Sequence, residues 1–174
     1  MKAKSIKEIN LESEYKSWLF KSEPESRIEK GVDMKFGIDD LKKEPNGIAC
    51  WDGVRNYSAR NWMRRMKVDQ RGFFYHSNTK VPGIVGLVNV VKEAYPDHTH
   101  PTWDMVDVQY VRHLKRYIPL PKLKELHLNH KSKGNGPLSG LALFTKARLS
   151  VQPLTEEEFD FIIDLENDES LDIL

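Results

Sequence analysis

The sequence contains a single cysteine, Cys50, among 174 residues. One thiol excludes an intramolecular disulfide and any metal site built from several cysteines, and it is typical of proteins from a reducing compartment. No apolar run approaches the roughly 20 residues that a membrane-spanning helix requires. Residues 1–17 have neither an apolar core nor a small-residue cleavage pattern, so we expect no secretory signal and an intracellular protein.

Several catalytic and metal-binding motifs are also missing. The sequence has no HExxH or CxxC spacing, and His98 and His100 lie in a proline-flanked loop without an obvious third ligand, so we expect no metal site. It also has no glycine-rich phosphate loop, no nucleophile elbow and no paired-carboxylate signature. We therefore expect no cofactor and no catalytic residues.

The net charge is only +1, but the charge is unevenly distributed. Five basic residues and no acidic ones lie between Arg55 and Lys67, and seven lysines or arginines lie between Arg112 and Lys133. Nine acidic residues follow from Glu156 onwards. Basic stretches are expected in proteins that bind a phosphate backbone, although on charge alone solvated helix faces are the simpler interpretation.

The pattern of apolar residues predicts an α+β fold with five to six short strands. Residues 1–16 are polar and are expected to form a flexible tail, followed by a single domain at 17–174. We predict strands at 17–20, 48–51, 72–77, 83–91, 105–117 and 148–151. Helices are predicted at 36–43, after Asn56, at 120–128 and after Thr155. Because strands and helices do not alternate regularly, we expect a mixed, strongly bent sheet or small barrel with peripheral helices.

The segment from Trp51 to Tyr57 is the first candidate site. Asp52-Gly53 predicts a tight turn between a strand and a helix, and Asn56 is a suitable N-cap for that helix. Two aromatic side chains next to a bifunctional amide suit a nucleobase, which needs stacking and hydrogen bonds to its edge. A structural alternative is equally open, in which Trp51 belongs to the core and Asn56 is only a cap.

The helix after Asn56 is predicted to be amphipathic. Ala59, Trp62, Met63 and Met66 recur on one apolar face. The basic side chains on the other face are candidates for phosphate contacts: Arg60, Arg64, Arg65 and Lys67.

Three weaker candidates lie elsewhere. Lys21-Ser22-Glu23 ends the first predicted strand, where ligand contacts are common, but from these residues alone an exposed polar turn is the preferred interpretation. His76 could act as a general base or ligand, although a lone histidine is more often structural. Tyr95 and Trp103 could complete an aromatic cage or merely pack at its rim.

These segments together resemble the EVE domain family, from about Trp18 to Leu165. The matching pieces are WLFKSEPES at 18–26, CWDGVRNYSARN at 50–61, FFYHSN at 73–78, GIVGLVNVVKEAYPD at 83–97, WDMVDVQYV at 103–111 and LFTKARLSVQPLTEEEFDFI at 143–162. The resemblance implies a PUA-like fold, a mixed β-barrel with outer helices, related to the YTH readers of methylated adenine. Members are regarded as readers of modified bases in DNA or RNA, including modified cytosines.

The resemblance also implies which residues line the base pocket. By family position these are Lys21, Ser22, Glu23, Trp51, Asp52, Gly53, Val54, Arg55, Asn56, Tyr57, His76, Ser77, Tyr95, Pro96 and Asp97. By analogy with the related YTH pocket, Trp51 would stack on the base. The chain departs from the family pattern at Ser58, a change that an outward-facing helix position should tolerate. It also departs in the short loop at 98–101, which bears on how the pocket closes.

The expected function is therefore that of a nucleic-acid-binding module that recognises a modified nucleobase, with a modified cytosine favoured. The expected partner is DNA or RNA carrying that base, bound by a monomer without membrane or metal, in the nucleus of a eukaryote or otherwise in the cytoplasm. One alternative is an amidohydrolase-like enzyme acting on acylated nucleosides, with Lys21 and Glu23 as its acid–base pair. A protein-interaction domain using the acidic C-terminal helix has no positive support.

Overall fold

The computed structural model describes residues 15–173. The predicted tail at 1–16 lies outside these residues, except for Tyr15 and Lys16, which begin the first strand. Eight strands follow in chain order: β1 (Tyr15–Ser22), β2 (Ile28–Glu29), β3 (Val32–Asp33), β4 (Ile48–Cys50), β5 (Arg71–His76), β6 (Gly83–Asp97), β7 (His100–Pro119) and β8 (Val151–Thr155). Strands β2 and β3 form a separate small hairpin, and the other six form the main sheet.

Within residues 15–173, five α-helices lie around the sheet. They are α1 (Ile38–Lys43), α2 (Tyr57–Met63), α3 (Leu120–Ser132), α4 (Ala142–Thr145) and α5 (Glu156–Asp164). Short 3₁₀ turns occupy Pro45–Gly47, Leu165–Asn167 and Glu169–Ile173. Among residues 15–173, no helix has the length and apolar composition needed to cross a membrane.

The main sheet has the strand order β4-β7-β6-β5-β1-β8. Only the β1–β5 pair is parallel, and every other neighbouring pair is antiparallel. Strands β6 and β7 form a long hairpin whose register shifts at five places, and such irregularities bend a sheet. Helix α2 contacts both β7 and β8. The predicted α+β class and mixed, bent sheet are therefore confirmed, with six strands.

Both faces of the sheet are buried, and side chains alternate between two apolar clusters. Trp18 and Phe20 of β1 belong to one cluster, whereas Leu19 belongs to the other. Phe74 and Phe73 divide between the clusters in the same way. Alternate residues of a strand point to opposite faces, so this pattern follows directly from strand geometry.

Helix α1 lies close to β6 because Gly86 leaves room for it. A Cβ atom at this position would lie 2.1 Å from Cδ1 of Ile38 and 2.8 Å from the carbonyl oxygen of Arg112. A larger residue would have to displace the buried Ile38 side chain of α1 and the backbone of β7. The glycine therefore helps to set the position of the α1 N-terminus beside the end of β5.

Two predictions about element positions are wrong. The sequence predicts the last strand at 148–151, but this strand occupies Val151–Thr155, with Pro153 inside it. Proline lacks the N–H of a sheet ladder, but β8 lies at the sheet edge, where the missing donor is tolerated. Strand β7 begins at His100, so the predicted loop at 98–101 is reduced to a hairpin turn.

Candidate functional site

The ends of β1 and β5 bring together five of the predicted pocket residues, which we call the strand-end cluster: Lys21, Ser22, Glu23, His76 and Ser77. The two strands are parallel, with Ser22 in register with His76. Their carboxyl ends therefore meet at one edge of the sheet, where the backbone N–H of Ser77 donates to the Ser22 carbonyl at 2.8 Å. The Ser22 hydroxyl donates to the carbonyl of Phe36 at 2.5 Å, which holds the chain before α1 against this cluster.

His76 caps the beginning of α1. Its Nε2 accepts a hydrogen bond of 3.1 Å from the backbone N–H of Ile38. Burial lowers the pKa of His76 below its ordinary value, although Asp39 opposes the shift. The ring is therefore a neutral acceptor at neutral pH, and protonation of Nε2 would remove the hydrogen bond. This contact gives His76 a structural task.

Lys21 and Glu23 do not pair with each other within residues 15–173. The Lys21 ammonium donates to the Ala147 carbonyl at 2.7 Å, and burial lowers its pKa. The Glu23 carboxylate accepts from Arg27 at 2.8 Å and from Asn78 at 3.4 Å. The shift at Lys21 has the direction that an enzymatic base requires, but the acid–base pair of the amidohydrolase alternative is not assembled.

Trp51 lies in the core and is only 7% exposed. Its ring makes edge-to-face contacts with Phe20 at 5.2 Å, Phe74 at 5.5 Å and Phe36 at 6.1 Å between centroids. Phe74 in turn contacts the His76 ring at 5.6 Å, which links Trp51 to the strand-end cluster. A base could reach the face of Trp51 only if a neighbouring side chain moved, so stacking on Trp51 stays a prediction.

Phe36 is a residue of this region that the sequence does not single out. Its ring contacts the Trp51 ring, and its backbone carbonyl accepts the hydrogen bond from the Ser22 hydroxyl. The sequence pattern places it only at the beginning of a helix. The only local signal is its position directly before Gly37, the N-cap residue of α1.

Asp97 joins the loop after β4 to the tip of the β6–β7 hairpin, and we call Gly53, Arg55, Asp97 and Thr99 the turn cluster. The buried Asp97 carboxylate accepts from the Gly53 N–H at 3.0 Å, from Arg55 at 3.2 Å and from the Thr99 N–H at 2.8 Å. Burial opposes ionisation, but these hydrogen bonds together hold the pKa of Asp97 well below its usual range. The carboxylate is therefore fully engaged and stays ionised.

The remaining predicted pocket residues also have protein partners. The Tyr95 hydroxyl donates to Asp107 at 2.5 Å, and burial with this contact raises the pKa of Tyr95. Pro96 lies opposite Asp104 of β7 in the register of the β6–β7 hairpin. Val54 is buried in the core cluster that contains Trp51.

Asn56 is the N-cap of α2, as the sequence predicts. Its side-chain oxygen accepts from the Ala59 N–H at 2.9 Å. The cap satisfies one of the free N–H groups of the first helical turn. It also aims the helix so that Ala59 and Met63 are fully buried.

An exposed aromatic platform, which we define as Tyr57, Trp103 and Arg60, lies beside the turn cluster. The Tyr57 and Trp103 rings are 4.8 Å apart, and Tyr57 is 60% exposed. The Arg60 guanidinium lies 4.9 Å from the Tyr57 ring and 5.8 Å from the Trp103 ring. Flat rings edged by a cation can stack on an unpaired base. Tyr57 thus faces outward with Trp103 and makes no ring contact with Trp51 in the described residues.

The four predicted phosphate-contacting residues differ in their freedom. Arg64 is paired with Asp104, and Arg65 packs on Trp62 at 5.1 Å with its Nη1 buried and unpaired within residues 15–173. Lys67 is two-thirds exposed and lies 3.7 Å from Glu93. Arg60 donates to the Thr102 carbonyl at 3.1 Å. Arg60 and Lys67 can therefore meet a phosphate without giving up a close carboxylate pair, whereas Arg64 would have to leave Asp104.

The second basic stretch is partly neutralised by the acidic C-terminal residues. Arg112 forms a bidentate pair with Glu166 at 2.9 and 3.0 Å, and Arg116 pairs with Asp172 at 2.9 Å. The acidic residues are therefore an intramolecular partner of this stretch.

His98 has partners that the sequence does not reveal. Its Nε2 lies 3.1 Å from a carboxylate oxygen of Asp52. The Cys50 sulfur lies near both, and the three ligand atoms are within 4.8 Å of one another. Asp52, a predicted pocket residue, therefore lies next to two other potential metal ligands, Cys50 and His98.

Two open grooves lie elsewhere, along α2. The first, of about 360 Å³, is lined by Tyr15, Ser58, Trp62, Gly140, Ala142, Thr145, Lys146, Leu149, Pro153 and Glu158. The second, of about 320 Å³, is lined by Ser58, Asn61, Trp62 and Arg65. None of the predicted base-pocket residues lines either groove. We give more weight to the strand-end cluster because it contains five of the predicted base-pocket residues.

The mixed six-stranded sheet, the strand-end cluster and the outer helices define a small α+β domain of the PUA-like class. The model of the EVE domain matches residues 16–165, and the chain belongs to this family.

The chain is 60% identical to thymocyte nuclear protein 1 of Danio rerio, with 90% of this chain and 74% of that protein covered. It is 58% identical to thymocyte nuclear protein 1 of Homo sapiens, with 87% and 74% covered. A crystal structure of the human THYN1 protein in complex with 5-methylcytosine-containing DNA superimposes with a TM-score of 0.84 and 58% identity, covering 86% of this chain and 96% of that chain.

Proposed function

We propose that this protein is a DNA-binding module that recognises a modified cytosine, with 5-methylcytosine as the first candidate. The observation that carries the proposal is the human THYN1 structure, which contains 5-methylcytosine DNA and matches this chain at 58% identity and a TM-score of 0.84. Such similarity supports a common backbone and a common mode of binding. The naming of the relatives as nuclear proteins supports a nuclear location.

The chemistry of the strand-end cluster suits a methylated cytosine. A 5-methyl group needs an apolar contact, and the rings of Phe36, Trp51 and Phe74 lie together beside the cluster. The polar edge of cytosine needs an acceptor and a donor. The Glu23 carboxylate offers the acceptor, and the Ser77 hydroxyl, whose bond to the Ser22 carbonyl is long at 3.3 Å, offers the donor. A buried apolar wall next to a few polar groups is typical of sites that hold a small flat ligand.

The surface around the cluster supplies contacts that do not depend on methylation. Removing a base from a duplex costs a few kcal/mol, which favours proteins that stabilise the opened helix. The aromatic platform offers exposed rings for stacking, and Arg60 and Lys67 offer positive charge to the phosphates. Discrimination would then come from the strand-end cluster and general affinity from the platform and α2.

The test compares the binding of matched DNA duplexes that differ by one 5-methyl group. We expect the wild type to bind the methylated duplex more tightly, and Trp51→Phe to lose much of this preference, because a smaller ring changes the apolar wall. Trp51→Ala is unsuitable because emptying so large a core site costs about 3–5 kcal/mol of stability. The matched control is Phe73→Leu, which alters the other core cluster and should keep the preference.

Equal affinity of the wild type for the two duplexes would contradict the proposal. An unchanged preference in Trp51→Phe would remove Trp51 from the base site but leave the module's function standing. Methylated RNA serves as a further arm, and tighter binding to it would reassign the polymer. Turnover of acylated cytidine, abolished by Lys21→Ala, would favour the amidohydrolase alternative instead.

A further inference from the structure

A group of three potential metal ligands lies outside the strand-end cluster. Cys50 ends β4, Asp52 lies two residues further in the loop, and His98 lies at the β6–β7 turn. Their ligand atoms are all within 4.8 Å of one another, and His98 Nε2 is 3.1 Å from Asp52. We propose that Cys50, Asp52 and His98 form a binding site for a divalent transition-metal ion, with Zn²⁺ as the favoured ion.

The spacing is close to what such an ion requires. Zn²⁺ binds sulfur at about 2.3 Å and nitrogen or oxygen at about 2.0–2.2 Å, which places neighbouring ligand atoms of a tetrahedral site roughly 3.3–3.8 Å apart. The group therefore needs to contract by only about 1 Å. The side chains of His98 and Asp52 are 54% and 45% exposed, so rotations at the surface can achieve this. Three protein ligands leave the fourth position open to water or another ligand.

The ligand types indicate which ions fit. Thiolate and imidazole favour Zn²⁺, Co²⁺ or Cu²⁺, whereas Mg²⁺ and Ca²⁺ prefer oxygen ligands only. The mixed set of sulfur, nitrogen and carboxylate oxygen is thus selective against the common hard cations.

The surrounding charges also favour a cation. Burial raises the pKa of the Cys50 thiol, and the carboxylates of Asp52 and Asp107 raise it further. The negative charges of these carboxylates would also attract a cation to the group.

A bound ion would connect two segments of the chain that the base proposal also uses. It would tie the loop after β4, next to Trp51 and Gly53, to the hairpin tip that carries Asp97 and Thr99. The turn cluster already joins these segments through Asp97. An ion that binds only the folded form would add stability by mass action. The site does not depend on DNA binding.

The experiment titrates chelator-treated protein with Co²⁺, which reports a thiolate ligand through its near-ultraviolet charge-transfer band, and then displaces it with Zn²⁺. We expect the band in the wild type, its loss in Cys50→Ser, and Co²⁺ affinity reduced by more than about tenfold in His98→Ala and Asp52→Asn. The control is His100→Ala, which removes a histidine two residues away and should leave the titration unchanged. We also expect Zn²⁺ to raise the Tm of the wild type.

Two results would overturn the proposal. One is the absence of the charge-transfer band from the wild type. The other is equal Co²⁺ affinity in the wild type, His98→Ala and Asp52→Asn, which would mean that the thiol alone binds the ion. His98 and Asp52 are at the surface, so their variants remain informative if Cys50→Ser unfolds.

Discussion

His76 shows how one side chain of the candidate site serves the fold. It is half-buried and accepts the first free N–H of α1 through Nε2, with Asp39, Asp40 and His113 as its charged or titratable neighbours. A protonated ring could not accept this bond. Whatever its role toward a base, His76 therefore connects the end of β5 to the start of α1.

This hydrogen bond predicts a pH dependence of stability. The folded-state pKa of His76 lies below its ordinary value of 6.5, so protonation is easier in the unfolded chain. The contribution of His76 is complete above about pH 6.5 and disappears as the pH falls toward the folded pKa. We expect His76→Gln, whose side-chain oxygen can accept the Ile38 N–H, to reduce the slope of unfolding free energy between about pH 7 and 5.

Urea unfolding of both proteins at several pH values measures this slope. The variant Val81→Ala, at an exposed position without a titratable side chain, provides the control and should keep the wild-type slope. Identical slopes for wild type and His76→Gln would show that the histidine titrates alike in both states.

At the scale of elements, α2 depends on its cap. Helix α2 has only seven residues, and isolated helices of this length are marginal in water. It is held by the Asn56 cap at one end and by the burial of Ala59 and Met63 along its inner face. The helix carries Tyr57 and Arg60 of the aromatic platform, and the other basic residues, Arg64, Arg65 and Lys67, directly follow it, so its orientation affects both surfaces.

Replacing Asn56 separates its structural role from its predicted role in base binding. We expect Asn56→Ala to lower the unfolding free energy by about 1 kcal/mol, because the Ala59 N–H loses its acceptor. Asn56→Ser should restore most of this stability, since serine caps helices about as well.

The affinity of the two Asn56 variants for the methylated duplex then tests whether Asn56 also contacts the base. If Asn56 contacts the base, Asn56→Ser recovers stability but not affinity. Full recovery of both would assign Asn56 to capping alone. An Asn56→Ala variant as stable as the wild type would contradict the capping energy itself.

For the whole molecule, the distribution of charge matters more than the net value of +1. The basic stretch after Arg112 meets the acidic C-terminal residues through the Arg112–Glu166 and Arg116–Asp172 pairs. Arg60, in α2, and Lys67, shortly after its end, have no comparably tight carboxylate partner within residues 15–173. The positive surface available to DNA is therefore centred on α2.

This asymmetry predicts which charges set the salt dependence of DNA binding. We expect Arg60→Ala with Lys67→Ala to weaken the binding of methylated and unmethylated duplexes alike. The slope of log K against log salt should become shallower by about 0.9 for each phosphate that the double variant no longer neutralises. Fluorescence titrations at several salt concentrations measure the slope.

The matched control for this double variant is Lys131→Ala with Lys133→Ala. It removes the same charge from the end of α3 and should change the slope little. Equal changes in the two double variants would mean that net charge, and not α2, governs binding.

The local features of the fold can be predicted from the sequence alone. Alternation placed Trp18 and Phe20 on one face and Leu19 on the other, and the caps at Asn56 and Thr155 marked the beginnings of α2 and α5. These features depend on residues a few positions apart, whose geometry follows from the backbone alone. The resemblance to the EVE domain family was likewise readable from short segments in order.

The contacts between distant residues are visible only in the tertiary structure. Asp97 bonds to Gly53, His76 to Ile38 and His98 to Asp52, and no local pattern encodes such pairings between residues so far apart in the chain. The tertiary structure also buries Trp51 among three rings while leaving Tyr57 exposed on Trp103, although the sequence predicts one pocket for both. The physical reason is that strand pairing and sheet bending set these contacts, and both depend on the packing of the whole chain.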